Sequence, residues 1–169
     1  DDTDLECGTD RDIFYKRYEA APADWTPTEV VSTGCEGTSA YPSLAVDSAG
    51  NVHVAWHDNT TDLGGSGIDF DIVYRRFEVG VGWADIEVVS AESTSDSLHP
   101  SLAVDLDGNV HVAWHDETDL GGGTDWDIFY KNRTSSWSTT EVISTQNPSN
   151  RDSIRPSLAV DSSENVHIA

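Results

Sequence analysis

Aspartate residues are concentrated in three stretches of the chain, and each stretch also contains glycine. The stretches hold Asp1, Asp4, Asp10 and Asp12; Asp58, Asp62, Asp69 and Asp71; and Asp116, Asp119, Asp125 and Asp127. Carboxylates this close together repel one another unless a cation lies among them. Ca²⁺ binds carboxylate and carbonyl oxygens, and glycine lets backbone carbonyls turn toward the ion. The pattern therefore predicts Ca²⁺ as a cofactor.

Two other interpretations of the acidic stretches are open. The spacing is not that of an EF-hand, so the aspartates are equally suited to accept hydrogen bonds that cap turns, with the last one fixing the strand that follows. Paired carboxylates also catalyse glycoside hydrolysis. Three nearly identical sites fit a scaffold better than a single catalytic centre.

The acidic stretches belong to a longer repeat. Pro42, Pro100 and Pro156 each begin the sequence Pro-Ser-Leu-Ala-Val-Asp, at a period of about 57 residues. Each copy predicts a hairpin of two strands, A and B, joined by a turn at Gly-Asn or Glu-Asn. After the acidic stretch come Asp-Ile-Phe/Val-Tyr (strand C), a tryptophan, and Glu-Val-Val/Ile-Ser (strand D). A repeated four-stranded unit is typical of a β-propeller blade.

The period divides the chain into four parts of one all-β propeller module. Residues 1–32 supply strands C and D of a split blade, 42–90 and 100–144 are full blades, and 156–169 supply strands A and B. The terminal strands are expected to complete a hybrid blade. Three blades are too few for a closed ring. The sequence thus predicts self-association, as a homo-oligomer or head-to-tail polymer, or a place in a longer chain.

The repeat resembles those of secreted sialidase-like (BNR-type) β-propeller proteins of bacteria and archaea. The resemblance rests on Pro-Ser-Leu-Ala-Val-Asp-x-x-Gly-Asn-Val-His-Val-Ala-Trp followed by Asp-Ile-Phe-Tyr-Lys, and it covers essentially the whole chain. It implies the blade architecture, whereas the fold hosts many activities. The family's Asp-box is degraded before Trp137, and the arginine cluster of a sialidase has no counterpart in the sequence.

Aromatic and basic residues at variable positions of the repeat are candidates for a ligand-binding rim. Tyr41, His99 and Arg155 occupy one such position, just before strand A, and Phe70 and Trp126 occupy another, inside the acidic stretches. Exposed aromatic rings commonly serve recognition. His57 and His115 precede the acidic stretches and are either ligands or structural residues.

Other residues of the repeated strands are expected in the core. His53, His111 and His167 share one position of strand B and are interpreted as packed imidazoles bonded between blades rather than zinc ligands. Trp56 and Trp114 are interpreted as core between blades.

Cys7 and Cys35 are the only cysteines. They lie in the first B–C loop and the first D–A loop, which emerge on one face of a blade, so a disulfide between them is predicted. Asn59 and Asn132 begin glycosylation acceptor triplets. Both features are consistent with an extracellular or cell-surface location.

Composition narrows the function further. The formal net charge is −22, from 31 acidic and nine basic residues, which opposes binding to nucleic acid because phosphate contacts need clustered Lys and Arg. No apolar run is long enough to span a membrane, and the absence of Met indicates a trimmed chain or a segment of a longer one. We expect a non-enzymatic, extracellular, calcium-stabilised module for adhesion, surface or filament assembly or ligand display. The alternative is a sialidase-like propeller that binds or cleaves glycans.

Overall fold

The computed structural model describes residues 10–61, 63, 68–120, 125–144 and 151–169. Within these residues the fold is all-β: no α-helix occurs, and the strands form separate antiparallel sheets. No helix in the described part of the chain is long and apolar enough to cross a membrane. The sheets follow the sequence repeat, and we number the repeats units 1 to 4 in chain order.

Units 2 and 3 each form a complete sheet. Unit 2 contains β5 (Ser39–Val46), β6 (Val52–Asp58), β7 (Asp71–Glu78), β8 (Gly82–Trp83) and β9 (Glu87–Val88). Unit 3 contains β10 (Ser97–Val104), β11 (Val110–Asp116), β12 (Asp127–Arg133) and β13 (Glu141–Val142). The strand order A-B-C-D predicted from the repeat is confirmed in both units.

Units 1 and 4 hold the remaining strands. Unit 1 contains β1 (Phe14–Tyr15), β2 (Tyr18–Glu19), β3 (Asp24–Trp25) and β4 (Glu29–Val30), with β1 paired to β4 and β2 to β3. Unit 4 contains β14 (Leu158–Val160) and β15 (Val166–Ile168), which form the third A–B hairpin. β1 and β15 belong to different sheets, so the predicted hybrid blade does not form within the described part of this chain: β1 pairs with β4 and β15 with β14 instead.

Each A–B turn is closed by an aspartate and requires a left-handed backbone. Asp47 Oδ1 accepts the backbone N–H of Asn51 at 2.8 Å, and Asp47 Oδ2 accepts the Asn51 side-chain amide at 2.8 Å. Gly50 and Gly108 have φ of 87° and 84°, a conformation that glycine adopts without steric cost. The Gly-Asn turn predicted from the sequence is thereby confirmed.

The core lies between consecutive units. One cluster joins Tyr74 and Val89 of unit 2 to Val112, Trp114 and Phe129 of unit 3, each no more than 1% exposed. Corresponding clusters join unit 1 to unit 2 and unit 3 to unit 4. The prediction that Trp56 and Trp114 are buried between units is confirmed.

Two features of the strands differ from the sequence prediction. Strand D is only two residues long, because Ser90 Oγ accepts the backbone N–H of Ile72 at 2.9 Å in place of the next ladder bond. Strand A begins earlier than predicted, at Ser39 and Ser97, and its register shifts between Ala40 and Ser43 and between Leu98 and Ser101. Tyr41 and His99 therefore lie in irregularities inside β5 and β10 rather than in loops.

Candidate functional site

Six ring side chains meet where strand B ends and strand C begins. We call them the ring cluster: Tyr41, His57, Phe70, His99, His115 and Trp126. Ring centroids of successive members lie close together: Phe70 and His57 at 4.9 Å, His57 and His99 at 5.7 Å, His99 and His115 at 4.9 Å, and His115 and Trp126 at 4.9 Å. The structure thus joins units 2 and 3 through a continuous file of rings.

Tyr41 lies beside the middle of this file. Its ring centroid is 4.3 Å from that of His99 and 5.0 Å from that of His57, and the residue is 57% exposed. Arg155, also exposed, lies at the other side, where its charge lowers the pKa of His99 after the larger effect of burial. Four of the five predicted rim residues belong to the ring cluster, and Arg155 borders it.

The backbone is strained at the repeat position that carries three of the rim residues. Tyr41, His99 and Arg155 have φ of 54°, 53° and 57°. This left-handed region costs a non-glycine residue about 1–2 kcal/mol. Strain of this kind is concentrated at functional sites in proteins, and here it occurs at equivalent positions in three units.

His57 and His115 accept hydrogen bonds from the strained residues of the next unit. The backbone N–H of His99 donates to His57 Nδ1 at 3.4 Å, and that of Arg155 donates to His115 Nδ1 at 3.2 Å. Burial lowers the pKa of both imidazoles to about 4, and the charge of His99 adds to this effect. Both rings are therefore neutral at pH 7 with the proton on Nε2. These histidines link neighbouring units.

His99 differs from them. Both of its ring nitrogens are buried and have no hydrogen-bond partner in the described part of the chain. Buried polar atoms usually have a partner, and one without it calls for an explanation. Tyr41, the nearest ring, lies against this imidazole, so an exposed aromatic ring borders polar atoms that have no partner among the described residues.

The last aspartate of each acidic stretch connects strand C to strand D. Asp71 Oδ1 accepts from Ser90 Oγ at 2.7 Å, and Ser90 Oγ accepts from Ile72 N at 2.9 Å. The same relay is made by Asp12, Ser32 and Ile13 in unit 1 and by Asp127, Ser144 and Ile128 in unit 3. The sequence pattern places the serine of Glu-Val-Val/Ile-Ser in a strand, and its recurrence in all three copies is the only sequence signal for the relay.

The first aspartates of the second and third stretches cap the turn after strand B. Asp58 Oδ2 accepts from Ser39 Oγ at 2.5 Å and from Trp56 Nε1 at 3.2 Å, while Oδ1 accepts from Thr60 N at 2.8 Å. Asp116 makes the same contacts in unit 3. Asp58 and Asp116 are buried, so their hydrogen bonds stabilise the interior of the sheet.

These contacts bear on the predicted Ca²⁺ ligands. The described carboxylates at both ends of each stretch accept hydrogen bonds within the protein, and the described residues contain no group of three or more His, Cys, Asp or Glu placed to hold a metal. Asp10 and Asp125 occupy equivalent positions, and each has one buried carboxylate oxygen without a hydrogen-bond partner. The described part thus fits the turn-capping interpretation better than a metal centre. Among the other predicted ligands, Asp69 is half-buried and Asp119 exposed, whereas Asp1, Asp4 and Asp62 lie outside the described residues.

The strand B histidines bond within their own unit and not between units. His53 Nδ1 lies 2.7 Å from the hydroxyl of Tyr74, and Nε2 lies 3.3 Å from Asp47 Oδ2. His111 repeats both contacts with Tyr130 and Asp105. The expected packed imidazole is confirmed at His53 and His111, but its partners belong to strand C and the A–B turn because the ring lies between these elements. The prediction fails for His167, whose side chain is 64% exposed.

Cys35 is buried, and desolvation, followed by the charge of Asp58, raises the pKa of its thiol to about 12. Cys7 lies outside the described residues, so the disulfide stays a prediction. Asn59 is half-buried, and its side-chain oxygen accepts the backbone N–H of Thr38 at 2.6 Å. Asn132 is half-buried within β12. Glycosylation at the two asparagines also stays a prediction.

Comparison with known proteins identifies no family. No protein-family model and no curated protein matches the chain. A solved structure named Hadza microbial sialidase Hz136 is similar at 15% sequence identity and a TM-score of 0.49. The match covers 79% of this chain and 34% of that one, so the chain spans about a third of that protein's length.

Proposed function

We propose that this chain is a non-enzymatic, extracellular module of β-propeller blades that displays a carbohydrate-binding face built around the ring cluster. The single observation that carries the proposal is the position of exposed Tyr41 against His99, whose ring nitrogens have no partner among the described residues. Carbohydrates combine apolar C–H faces with hydroxyl groups. Aromatic rings with nearby polar atoms suit this combination.

The blade architecture is supported by the repeated four-stranded sheets and by the way they pack. Strand A of unit 2 lies against strand A of unit 3: Leu102 N donates to Ser43 Oγ at 2.9 Å. Leu158 N of unit 4 donates to Ser101 Oγ at the same distance. Such contacts between successive A strands suit blades arranged around an axis, with strand A innermost.

Chemistry at the ring cluster favours binding over catalysis. A general acid or base works best with a pKa near the operating pH. The pKa values of His57 and His115 are lowered to about 4, and their Nδ1 atoms accept backbone N–H groups. Both imidazoles therefore contribute to structure. Arg155 offers a guanidinium to a ligand carboxylate, so an acidic sugar is the preferred class.

Replacing Tyr41 tests the proposal. We expect wild-type protein to bind a subset of a glycan array, and Tyr41→Gly to lose this binding by about tenfold or more, since a ring lost from a binding site typically costs over 1 kcal/mol. Because Tyr41 has φ of 54°, Tyr41→Gly should be more stable than Tyr41→Ala by about 1 kcal/mol.

Leu106→Ala is the matched control, because Leu106 is 65% exposed and lies in an A–B turn. It should leave glycan binding unchanged. A wild-type protein that binds no glycan, or a Tyr41→Gly variant that binds as wild type, contradicts the proposal. Turnover of a fluorogenic sialoside would show that the protein is an enzyme instead.

Stabilisation by Ca²⁺ remains part of the proposed function, and thermal unfolding tests it. If Ca²⁺ binds the acidic stretches, it should raise the midpoint of thermal unfolding and EDTA should lower it, because a ligand that binds only the folded state stabilises that state. Mg²⁺ at the same ionic strength controls for screening of the net charge of −22. A midpoint that neither Ca²⁺ nor EDTA changes would exclude the metal.

A further inference from the structure

Two strands end the sheets without a partner on one side. Strand B is paired on both sides in unit 2, where β6 lies between β5 and β7, and in unit 3, where β11 lies between β10 and β12. Among the described residues, β15 pairs only with β14, and β1 pairs only with β4. Within the described residues, strand B of unit 4 has no strand C beside it, and strand C of unit 1 has no strand B beside it.

Side-chain contacts that repeat between neighbouring units show which residues would lie against the open edges of β1 and β15. Trp83 of unit 2 donates its indole N–H to Glu29 of unit 1 at 2.9 Å, and Trp137 of unit 3 donates to Glu87 of unit 2 at 2.9 Å. Each tryptophan also meets a tyrosine of the preceding unit edge to face: Trp83 with Tyr15 at 5.5 Å, and Trp137 with Tyr74 at 5.3 Å. The corresponding tryptophan of unit 1 is Trp25, which is 58% exposed.

A basic residue of strand C makes a second repeated contact. Arg75 of unit 2 donates to Val31 O of unit 1 at 2.6 Å, and Lys131 of unit 3 donates to Val89 O of unit 2 at 2.8 Å. The corresponding residue of unit 1 is Lys16, which is exposed, whereas Lys131 is 3% exposed.

The residues of unit 3 that are equivalent to these acceptors line an open groove. A groove of about 360 Å³ is lined by Tyr130, Glu141, Ile143, Val166 and Ile168. By the repeat, these positions correspond to Tyr74, Glu87, Val89, Val110 and Val112, of which all but Glu87 are at most 2% exposed in the core between units 2 and 3. The groove is therefore lined by residues equivalent to those of the core between units 2 and 3. Within the described residues, no strand C and no tryptophan of a following unit cover them.

His167 lacks one of the contacts that its equivalents His53 and His111 make. His53 and His111 each meet a tyrosine hydroxyl of strand C at 2.7 Å. Within the described residues His167 has the Asp161 contact at 3.2 Å and no tyrosine at Nδ1, and its side chain is 64% exposed. The register of units 2 and 3 would place Tyr15 of an added strand C at this nitrogen.

We infer that unit 1 of a second copy of this chain docks on units 3 and 4, pairing its residues 15–18 with residues 166–169 and placing Trp25 in the groove. The donors and acceptors on the two surfaces correspond residue by residue: Trp25 to Glu141 and Tyr130, Lys16 to the carbonyl of Ile143, and Tyr15 to His167. The interface joins different surfaces, so it closes a ring if the rotation permits and otherwise extends a filament. This inference is independent of carbohydrate binding.

Light scattering after size-exclusion chromatography tests the inference. We expect wild-type protein to have a mass that is a multiple of 18.4 kDa. Trp25→Ala should weaken association about 30-fold or more, as expected for a tryptophan at the centre of an interface. Leu106→Ala, in an exposed turn of unit 3, should associate as wild type.

Cysteine crosslinking checks the register separately. In units 2 and 3 the first residue of strand B faces the seventh residue of strand C, as Val52 faces Phe77. Val166→Cys combined with Tyr18→Cys should therefore form covalent oligomers on oxidation, and either single variant should not do so beyond the wild-type background. A monomeric wild type, association that survives Trp25→Ala, or absence of the crosslink overturns the inference.

Discussion

Lowering the pH from 7 to 5 should destabilise this protein by about 4 kcal/mol, with His57 and His115 contributing about 2 kcal/mol each. Burial lowers the pKa of both imidazoles to about 4 in the folded state, whereas an unfolded histidine titrates near 6.5. Between these two values the unfolded chain binds more protons than the folded protein. The free energy of unfolding is therefore highest above about pH 6.5 and decreases as the pH falls toward 4.

The carboxylates have little influence in this window, whereas burial also lowers the pKa of His99, which acts in the same direction as His57 and His115. The pKa values of Asp47, Asp105 and Asp161 are lowered, so the stability that these carboxylates contribute is lost below their ordinary pKa near 3.8. Most carboxylates remain ionised at pH 5, so repulsion within the acidic chain changes little between pH 7 and 5. His53, whose pKa burial also lowers, acts in the same direction as His57 and His115.

The matched variant is the double substitution His57→Asn and His115→Asn. Asparagine Oδ1 can accept the backbone N–H groups of His99 and Arg155 in place of imidazole Nδ1, and it does not titrate in this range. Chemical denaturation at pH 7 and pH 5 measures the difference. A wild type equally stable at both pH values, or a double variant with the full pH dependence of the wild type, would refute this account.

The repeated strands were predictable because the period recurs with little variation. Pro-Ser-Leu-Ala-Val-Asp followed by Gly-Asn encodes an apolar strand, a turn and a second strand, and the hairpins of units 2 and 3 follow it closely. The split of the chain into partial units followed from the same period. What the repeat could not specify is the length of strand D, which depends on a side-chain hydrogen bond to strand C, from Ile72 N to Ser90 Oγ.

The ring cluster was predictable only in part. Tyr41, His99, Phe70 and Trp126 were recognised because they vary at positions where the rest of the repeat is constant. Their contact with His57 and His115 depends on a left-handed backbone at Tyr41 and His99, which a non-glycine residue adopts only at an energetic cost. The relay through Ser32, Ser90 and Ser144 was missed because a serine at the end of a strand has many possible partners.

Removing the side chain of Asp116 should reduce the free energy of unfolding by about 3 kcal/mol or more. Asp116 is fully buried and accepts four hydrogen bonds: from Ser97 Oγ at 2.5 Å, Ser93 Oγ at 2.8 Å, Trp114 Nε1 at 3.2 Å and Thr118 N at 2.7 Å. Asp116→Ala removes the acceptor of the Trp114 indole N–H and of the Thr118 backbone N–H.

Asp116→Asn separates charge from hydrogen bonding. Its amide oxygen can still accept from Thr118, and the serine hydroxyls can rotate to accept from the new NH₂ group, but the indole N–H of Trp114 can only donate. We therefore expect an intermediate loss, about half that of Asp116→Ala. Asp107→Ala removes the same charge from an exposed turn and should change stability little.

Denaturation of each variant with and without EDTA then distinguishes the two roles considered for the acidic stretches. If Asp116 acts through the four hydrogen bonds, Asp116→Ala remains destabilised relative to wild type by the same amount when EDTA is present. If it acts by holding Ca²⁺, wild-type protein in EDTA is already destabilised and the substitution adds little. The contacts of Asp116 favour the first result, because each carboxylate oxygen is directed at donors within the sheet and the turn that follows it.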